Sequence, residues 1–251
     1  MSTTSARARF TAVVTGGGSG IGAATAEVLA GRGGHVAVVG RSIDKLAATV
    51  RRIEAVGGQC RAYPADLHRA QEATLAVDSA AKWLGSIDVL VNCAGIYREG
   101  PFTELPDQVV DDLIDNNIKG VVYTTRAALR WMAAGSCIVN IASMSAVRPL
   151  EQQSLYAATK AAVVHLGTAL ARELAPRQIR VNTVSPGPTK TPIIATVAPE
   201  DRIPAIEADL ASRIPLGRLG EPEEVAEAVA YLAFAYFATG THLVLDGGTI
   251  L

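Results

Sequence analysis

Tyr156 and Lys160 stand four residues apart in Leu155-Tyr156-Ala157-Ala158-Thr159-Lys160, a stretch that reads as helix, so both lie on one helix face. An ammonium beside a phenol favours the phenolate. The tyrosine pKa is therefore expected to fall from its free value of about 10 toward neutrality, where the group can pass a proton near pH 7. Ser143, thirteen residues before Tyr156, would hydrogen-bond a substrate oxygen and hold it while charge builds there. Ser145 competes for that role.

Two further stretches supply what a dinucleotide needs. Phe10 to Thr15 is an apolar run that breaks into Gly16-Gly17-Gly18-Ser19-Gly20-Ile21-Gly22, and helical periodicity follows from Ile21 to Arg32. Strand, glycine turn and helix in that order give a tight turn, close backbone approach and N-terminal amides facing a pyrophosphate. Gly16, Gly18, Ser19, Gly20, Ile21 and Gly22 are the candidate dinucleotide contacts. Asn92-Cys93-Ala94-Gly95 follows a second apolar run, where the small Ala94 and Gly95 would let the backbone pass under a ribose.

With these motifs in this order, the chain resembles the short-chain dehydrogenase/reductase family from about Thr11 to Gly248. The glycine spacing G-x-x-x-G-x-G departs from other Rossmann proteins and matches that family's version. The resemblance implies an α/β fold, a Rossmann-type doubly wound parallel sheet of seven strands in the order 3-2-1-4-5-6-7, with helices on both faces. It also selects Ser143 over Ser145, by the interval to Tyr156, and leaves Ser145 as a substrate contact. Lys160 then also binds the nicotinamide ribose. Asn117 in Asn116-Asn117-Ile118-Lys119-Gly120 is the family's fourth catalytic residue, anchoring a proton-relay water; the N-x-x-G spacing prefers it to Asn116. Asp66 and Leu67 take the adenine, Pro186 and Gly187 flank the nicotinamide, and Thr189 or Thr191 bonds its carboxamide or the phosphates. Asn92 is open between cofactor contact and sheet prop.

Coenzyme choice turns on the end of the second strand, His35 to Val39. A carboxylate there would bind the ribose hydroxyls of NAD and repel a 2′-phosphate. This chain has Gly40, followed by Arg41 and Ser42, which favours NADP over NAD. The reaction expected is hydride transfer between nicotinamide and a carbonyl or secondary alcohol, with NADPH-dependent reduction of a ketone, 3-oxoacyl-type or other, ahead of NAD-dependent alcohol oxidation. An idle dinucleotide-binding sensor or scaffold is the alternative from another class.

The remaining elements have to place these residues. Helices are read at Ile43 to Val56, Glu72 to Leu84, Pro106 to Ala133, Ser154 to Leu174 and Glu221 to Phe234; further strands at Cys60 to Pro64, Ile87 to Val91, Cys137 to Ile141, Arg180 to Val184 and Thr241 to Asp246. Residues 192–213 read as irregular and form the expected substrate lid on one domain spanning 1–251. Ser145, Val147, Leu150, Ile193, Ile194 and Val197 make a mostly apolar candidate pocket.

The chain has 23 Lys plus Arg against 24 Asp plus Glu, a net charge of −1, and nothing in that balance points to nucleic acid or a membrane surface. No apolar run reaches the roughly 18 residues of a membrane span, so a cytoplasmic protein is expected. Cys60, Cys93 and Cys137 are spaced as reduced packing residues, and no metal site is expected. The resemblance implies a homodimer or homotetramer.

Overall fold

The computed structural model describes residues 10–196 and 199–251. Strands β1 (Phe10–Thr15), β2 (Gly34–Gly40), β3 (Gln59–Pro64), β4 (Val89–Asn92), β5 (Cys137–Ile141), β6 (Arg180–Pro186) and β7 (His242–Leu245) form one sheet in the order β3-β2-β1-β4-β5-β6-β7, every pairing parallel. Between them run helices α1 (Gly20–Gly31), α2 (Ile43–Ala55), α3 (Ala70–Leu84), α4 (Asp107–Ile114), α5 (Gly120–Ala128), α6 (Ser154–Leu174), α7 (Ile203–Arg213) and α8 (Pro222–Phe234).

The sheet is parallel because its central strands are apolar on both sides and both sides are covered. Successive residues alternate between two cores, as the period of two requires. Ala12 and Val14 of β1, Val36 and Val38 of β2 and Val139 of β5 join Leu29, Leu46 and Val229 under α1, α2 and α8. Val13, Ala37, Val39 and Ile138 join Val77, Ala80 and Ala127 under α3 and α5, with Ala171 of α6. Each fully buried Val, Leu or Ile in these layers contributes about 1.5–3 kcal/mol relative to exposure. The polypeptide leaves β1 in one direction and β4 in the other. Their C-terminal ends therefore open a crevice at the sheet's switch point, where open α/β folds bind ligands.

Two segments differ from the sequence reading. The helix expected from Pro106 to Ala133 is broken: α4 gives way to a π-helical turn over Asp115–Lys119, closed by the Gly120 N–H donating to the Asp115 carbonyl, before α5 resumes and ends at Ala128. The widened turn accommodates Asn116 and Asn117, both poor in a helix interior. Residues 192–213 are not irregular throughout. Their C-terminal half is α7, with Pro204 in its first turn, where proline is tolerated because the missing N–H has no intrahelical partner. Val197 lies outside the described residues. No described helix is long and apolar enough to cross a membrane.

Candidate active site

One cleft of about 950 Å³ runs along the C-terminal ends of the strands. Its floor begins at the β1–α1 turn. Gly16 takes φ +67°, and a Cβ built on Gly22 would sit 2.2 Å from the Gly16 carbonyl oxygen, so the two glycines touch and no side chain fits between them. That contact brings the start of α1 to the end of β1. The helix cap, Ser19, makes no side-chain cap bond and the first turn carries no acid. Gly18, Ser19, Gly20, Ile21 and Gly22 line the cleft there, with a positive helix end and uncapped amides, the chemistry that holds a diphosphate. Thr191, from the loop after β6, packs its methyl over Gly20 and narrows the cleft from the far side.

At the outer end Gly40, Arg41, Ser42 and Lys45 line the wall. Arg41 and Lys45 are exposed, and Ser42 caps α2 by accepting from the Lys45 N–H at 3.5 Å. No acidic side chain stands at the end of β2 itself. Two cations and a hydroxyl beside an open edge fit a phosphate monoester. Lys45 is not among the candidates from sequence, because no motif marks a lysine in the first turn of α2 as a ligand contact. Asp66 and Leu67 form the adjoining wall, with Asp66 Oδ1 2.7 Å from His68 Nδ1.

The middle of the cleft is built from β4. Thr15 Oγ1 accepts from the N–H groups of Cys93 and Ala94, at 3.0 and 3.1 Å, and pins that loop to β1. Ala94 and Gly95 line the cleft. Cys93 does too, whereas Cys60 and Cys137 are buried in the packing. Asn92 does not line it. Its amide donates to Thr125 and Asn140, and its carbonyl accepts from Thr124, so this buried side chain ties β4 to β5 and α5 and props the sheet.

Ser143, Tyr156 and Lys160 converge at the end of β5, all buried and all on the cleft wall. Ser143 Oγ accepts from the Ser145 N–H at 3.2 Å, and its one proton serves either the Tyr156 oxygen or, with substrate bound, the substrate oxygen. The Tyr156 pKa is raised rather than lowered. Burial of the ring outweighs the Ser143 hydrogen bond that pulls the other way, and Lys160 does not offset it. The reason is geometric. Lys160 Nζ stands 5.9 Å from the centre of the tyrosine ring and donates instead to the Ile141 carbonyl at 3.2 Å. Burial brings the lysine itself down to about 8.

Asn117 is 1% exposed and also absent from the cleft wall, where its neighbour Asn116 stands. Its side chain accepts from the Ile96 N–H at 2.8 Å and donates to the Ile96 carbonyl and to Thr159 Oγ1, at 3.0 and 3.1 Å. Thr159 in turn donates to the Tyr156 carbonyl. The asparagine therefore fixes the loop after Gly95 to the helix that carries the tyrosine and lysine. A Cβ on Gly95 would meet Asn117 Oδ1 at 3.0 Å and Lys160 Nζ at 3.2 Å, which places all three groups side by side.

Pro186, Gly187, Thr189 and Thr191 line the opposite wall, and Thr189 Oγ1 donates to the Gly187 carbonyl at 2.9 Å. The substrate end holds Ser145, Leu150, Ile193 and Ile194, together with Ile206 and Leu210 of α7. Val147 is half-exposed and off the cleft, since the short helical turn after Ser143 rotates it outward. Tyr97, Glu99 and Gln153 add a polar rim that the sequence reading missed, for no motif marks them. Among the described residues no group of His, Cys, Asp or Glu is placed to hold a metal ion.

A family model described as enoyl-(acyl carrier protein) reductase matches residues 16–249. A 3-oxoacyl-[acyl-carrier-protein] reductase of Thermotoga maritima is 35% identical over 95% of this chain and 97% of its own length. The chain belongs to the short-chain dehydrogenase/reductase family. A cis-4-hydroxycyclohexanecarboxylate dehydrogenase of Sinomonas cyclohexanicum is 40% identical over 94% of this chain and 95% of its own. Among solved structures, a short-chain dehydrogenase of Burkholderia cenocepacia in complex with NADP superposes with a TM-score of 0.87 at 37% identity, covering 96% of this chain and 97% of that one. As a short-chain dehydrogenase/reductase the protein is an NAD(P)-dependent oxidoreductase acting on CH–OH and C=O groups.

Proposed function

We propose that this short-chain dehydrogenase/reductase is an NADPH-dependent ketone reductase. The observation that carries it is the single cleft joining two ends: Arg41, Ser42 and Lys45 at one, Ser143, Tyr156 and Lys160 at the other. The relative solved with NADP supports the coenzyme, and the relatives named 3-oxoacyl-[acyl-carrier-protein] reductase support the direction.

Bound along the cleft, the reduced dinucleotide supplies the hydride. The uncapped turn of α1 takes its diphosphate, Arg41 and Lys45 its 2′-phosphate, and Asp66 with Leu67 its adenine. Ser143 donates to the substrate oxygen and fixes it beside the Tyr156 hydroxyl. Tyr156 stays protonated at neutral pH and gives its proton to that oxygen as the carbon is reduced. The phenolate that forms shares its buried site with the Lys160 ammonium, whose Nζ stands 5.9 Å from the ring centre, and that charge eases return of a proton. Asn117 holds the loop and helix that frame this geometry and, in this reading, anchors the relay water. The segment 192–213 closes over the substrate end as a lid, its apolar Ile193, Ile206 and Leu210 excluding water. The protein works in the cytoplasm as a homodimer or homotetramer, an assembly supported by partly exposed Val109 and Val110 on α4 and Val164 and Leu166 on α6.

The test is fluorescence titration with NADPH and NADH at matched salt, followed by turnover of Tyr156→Phe. NADPH is expected to bind more tightly, and Tyr156→Phe to bind it normally while losing about 10²–10⁴ in kcat. Turnover within about threefold of wild type would remove Tyr156 from the mechanism.

A further inference from the structure

Four polar side chains beyond the catalytic trio form a chain along the substrate end of the cleft. Ser145 Oγ lies 2.8 Å from Gln153 Oε1, Gln153 Nε2 lies 2.8 Å from the Tyr97 hydroxyl, and that hydroxyl donates to the Glu99 carboxylate. Tyr97 also meets Tyr156 edge to face, with ring centroids 4.9 Å apart and planes at 89°. The relay therefore runs beside the reacting atoms and not at a remote edge.

Its direction is forced from the carboxylate end. An ionised carboxylate can only accept, so the Tyr97 proton goes to Glu99. The Tyr97 oxygen is then left to accept, and only the NH₂ side of Gln153 can serve it. The carbonyl side of Gln153 consequently faces Ser145, and Ser145 must donate to it. With its one proton committed, Ser145 offers only lone pairs to a ligand. Ser143, two residues away, has the opposite character: its oxygen accepts from the Ser145 N–H, and its proton is no part of the relay and can turn from Tyr156 to a substrate oxygen. Two serines on one short turn thus present a donor and an acceptor.

We infer that the substrate carries a hydrogen-bond donor, a hydroxyl or amine, on the carbon next to the one that reacts. The class is a hydroxy ketone in the reducing direction and a diol in the other. This rests on the reductase reading, for Ser143 and Tyr156 must hold the carbonyl oxygen for Ser145 to meet its neighbour. A group that only accepts, such as an ether or ester oxygen, would face Ser145 lone pair to lone pair and leave it unsatisfied.

The experiment compares two ketones of similar shape, 2-hydroxyacetophenone and propiophenone, which differ by a hydroxyl for a methyl. Each is reduced with NADPH by wild type, by Glu99→Gln and by Ser145→Ala, with thermal melts to establish that each variant folds. Glutamine at position 99 can donate to Tyr97, which lets every bond in the relay reverse and frees the Ser145 proton. Ser145→Ala removes the acceptor outright.

Wild type is expected to favour the hydroxy ketone in kcat/KM by at least about tenfold more than either variant does. A ratio unchanged in both variants overturns the inference and leaves the reductase intact, because any remaining preference is then the ketone's own reactivity. Equal kcat/KM on the two ketones by wild type does the same. Turnover of neither ketone, with NADPH failing to bind, overturns the inference and the proposed function together.

Discussion

Lys160 Nζ donates to the carbonyl of Ile141 at 3.2 Å, at the end of the strand that delivers Ser143. One neutral acceptor is a poor replacement for water around a buried ammonium, and burial brings its pKa down to about 8. Below that pH the folded chain holds a charge that the unfolded chain hydrates better. The position is therefore held at a cost in stability, in the way that strained or desolvated groups gather at catalytic sites.

Lys160→Met is accordingly expected to raise the melting temperature at pH 7 while abolishing turnover. The sign of its pH dependence follows from the depressed pKa. The penalty is complete below about 8 and fades as the pH climbs from there toward the usual lysine value. Melting curves of variant and wild type should differ by several degrees at pH 7, draw together as the pH rises past about 8, and meet only near the ordinary lysine pKa of about 10.4. A variant less stable than wild type at pH 7 would mean that the ammonium is well solvated in the fold.

The three cysteines predict the opposite trend for the protein as a whole. Burial pushes Cys60 and Cys93 up to about 12 and Cys137 up to about 11. A raised thiol pKa works against the folded state above the unfolded thiol's own value of about 8.5, where only the unfolded chain releases the proton. That release draws the equilibrium toward unfolding, so stability present below about 8.5 is lost as pH rises. Three thiols outnumber the one lysine. Urea midpoints should fall steadily between pH 8.5 and 10.5, and replacing all three cysteines by alanine should flatten that fall. Midpoints constant across the range would contradict the burial.

Sequence pattern carried the fold well because the sheet is made of local signals. Val13-Val14, Val36 to Val39 and Val89 to Val91 are apolar on both faces, and that alone calls for a parallel sheet with helices on each side. The glycine turn was legible for a similar reason: only glycine fits between Gly16 and Gly22, so sterics write the motif into the residue types. What escaped was set by distance in space. Whether Lys160 acts on Tyr156 depends on where its flexible stem points, and four residues of helix do not fix that. Tyr97, Glu99 and Gln153 meet across a 56-residue separation, and no spacing rule links them. The helix α7 went unread because Pro192, Pro199 and Pro204 fell close together, though Pro204 serves as a first-turn residue.

Asn92 offers a clean separation between holding the sheet and holding the cofactor. Its three hydrogen bonds to Thr124, Thr125 and Asn140 are buried. Asn92→Ala strands a threonine hydroxyl and an asparagine carbonyl, each worth about 1–3 kcal/mol when left unpaired. The variant is expected to lose a few kcal/mol of stability in urea while binding NADPH, at a temperature where it stays folded, within about threefold of wild type. A tenfold weaker NADPH complex with unchanged stability would restore the side chain to the cofactor.

Arg41 and Lys45 test the coenzyme. Both are exposed on the cleft rim, one at the end of β2 and one in the first turn of α2, and neither is paired with an acid among the described residues. Their contribution should be confined to a 2′-phosphate, since nothing else in a dinucleotide places a charge at that end. Arg41→Ala and Lys45→Ala are each expected to weaken NADPH by roughly tenfold, the value of one charge-assisted hydrogen bond at a partly solvated site, and to leave NADH within about twofold. The loss should shrink as salt rises, because the clamp lies in solvent. If NADH weakens in parallel, the two side chains support the loop and do not read the phosphate. If neither coenzyme responds, the end of β2 does not decide between them, and the preference has to come from Asp66 and the wall beyond it.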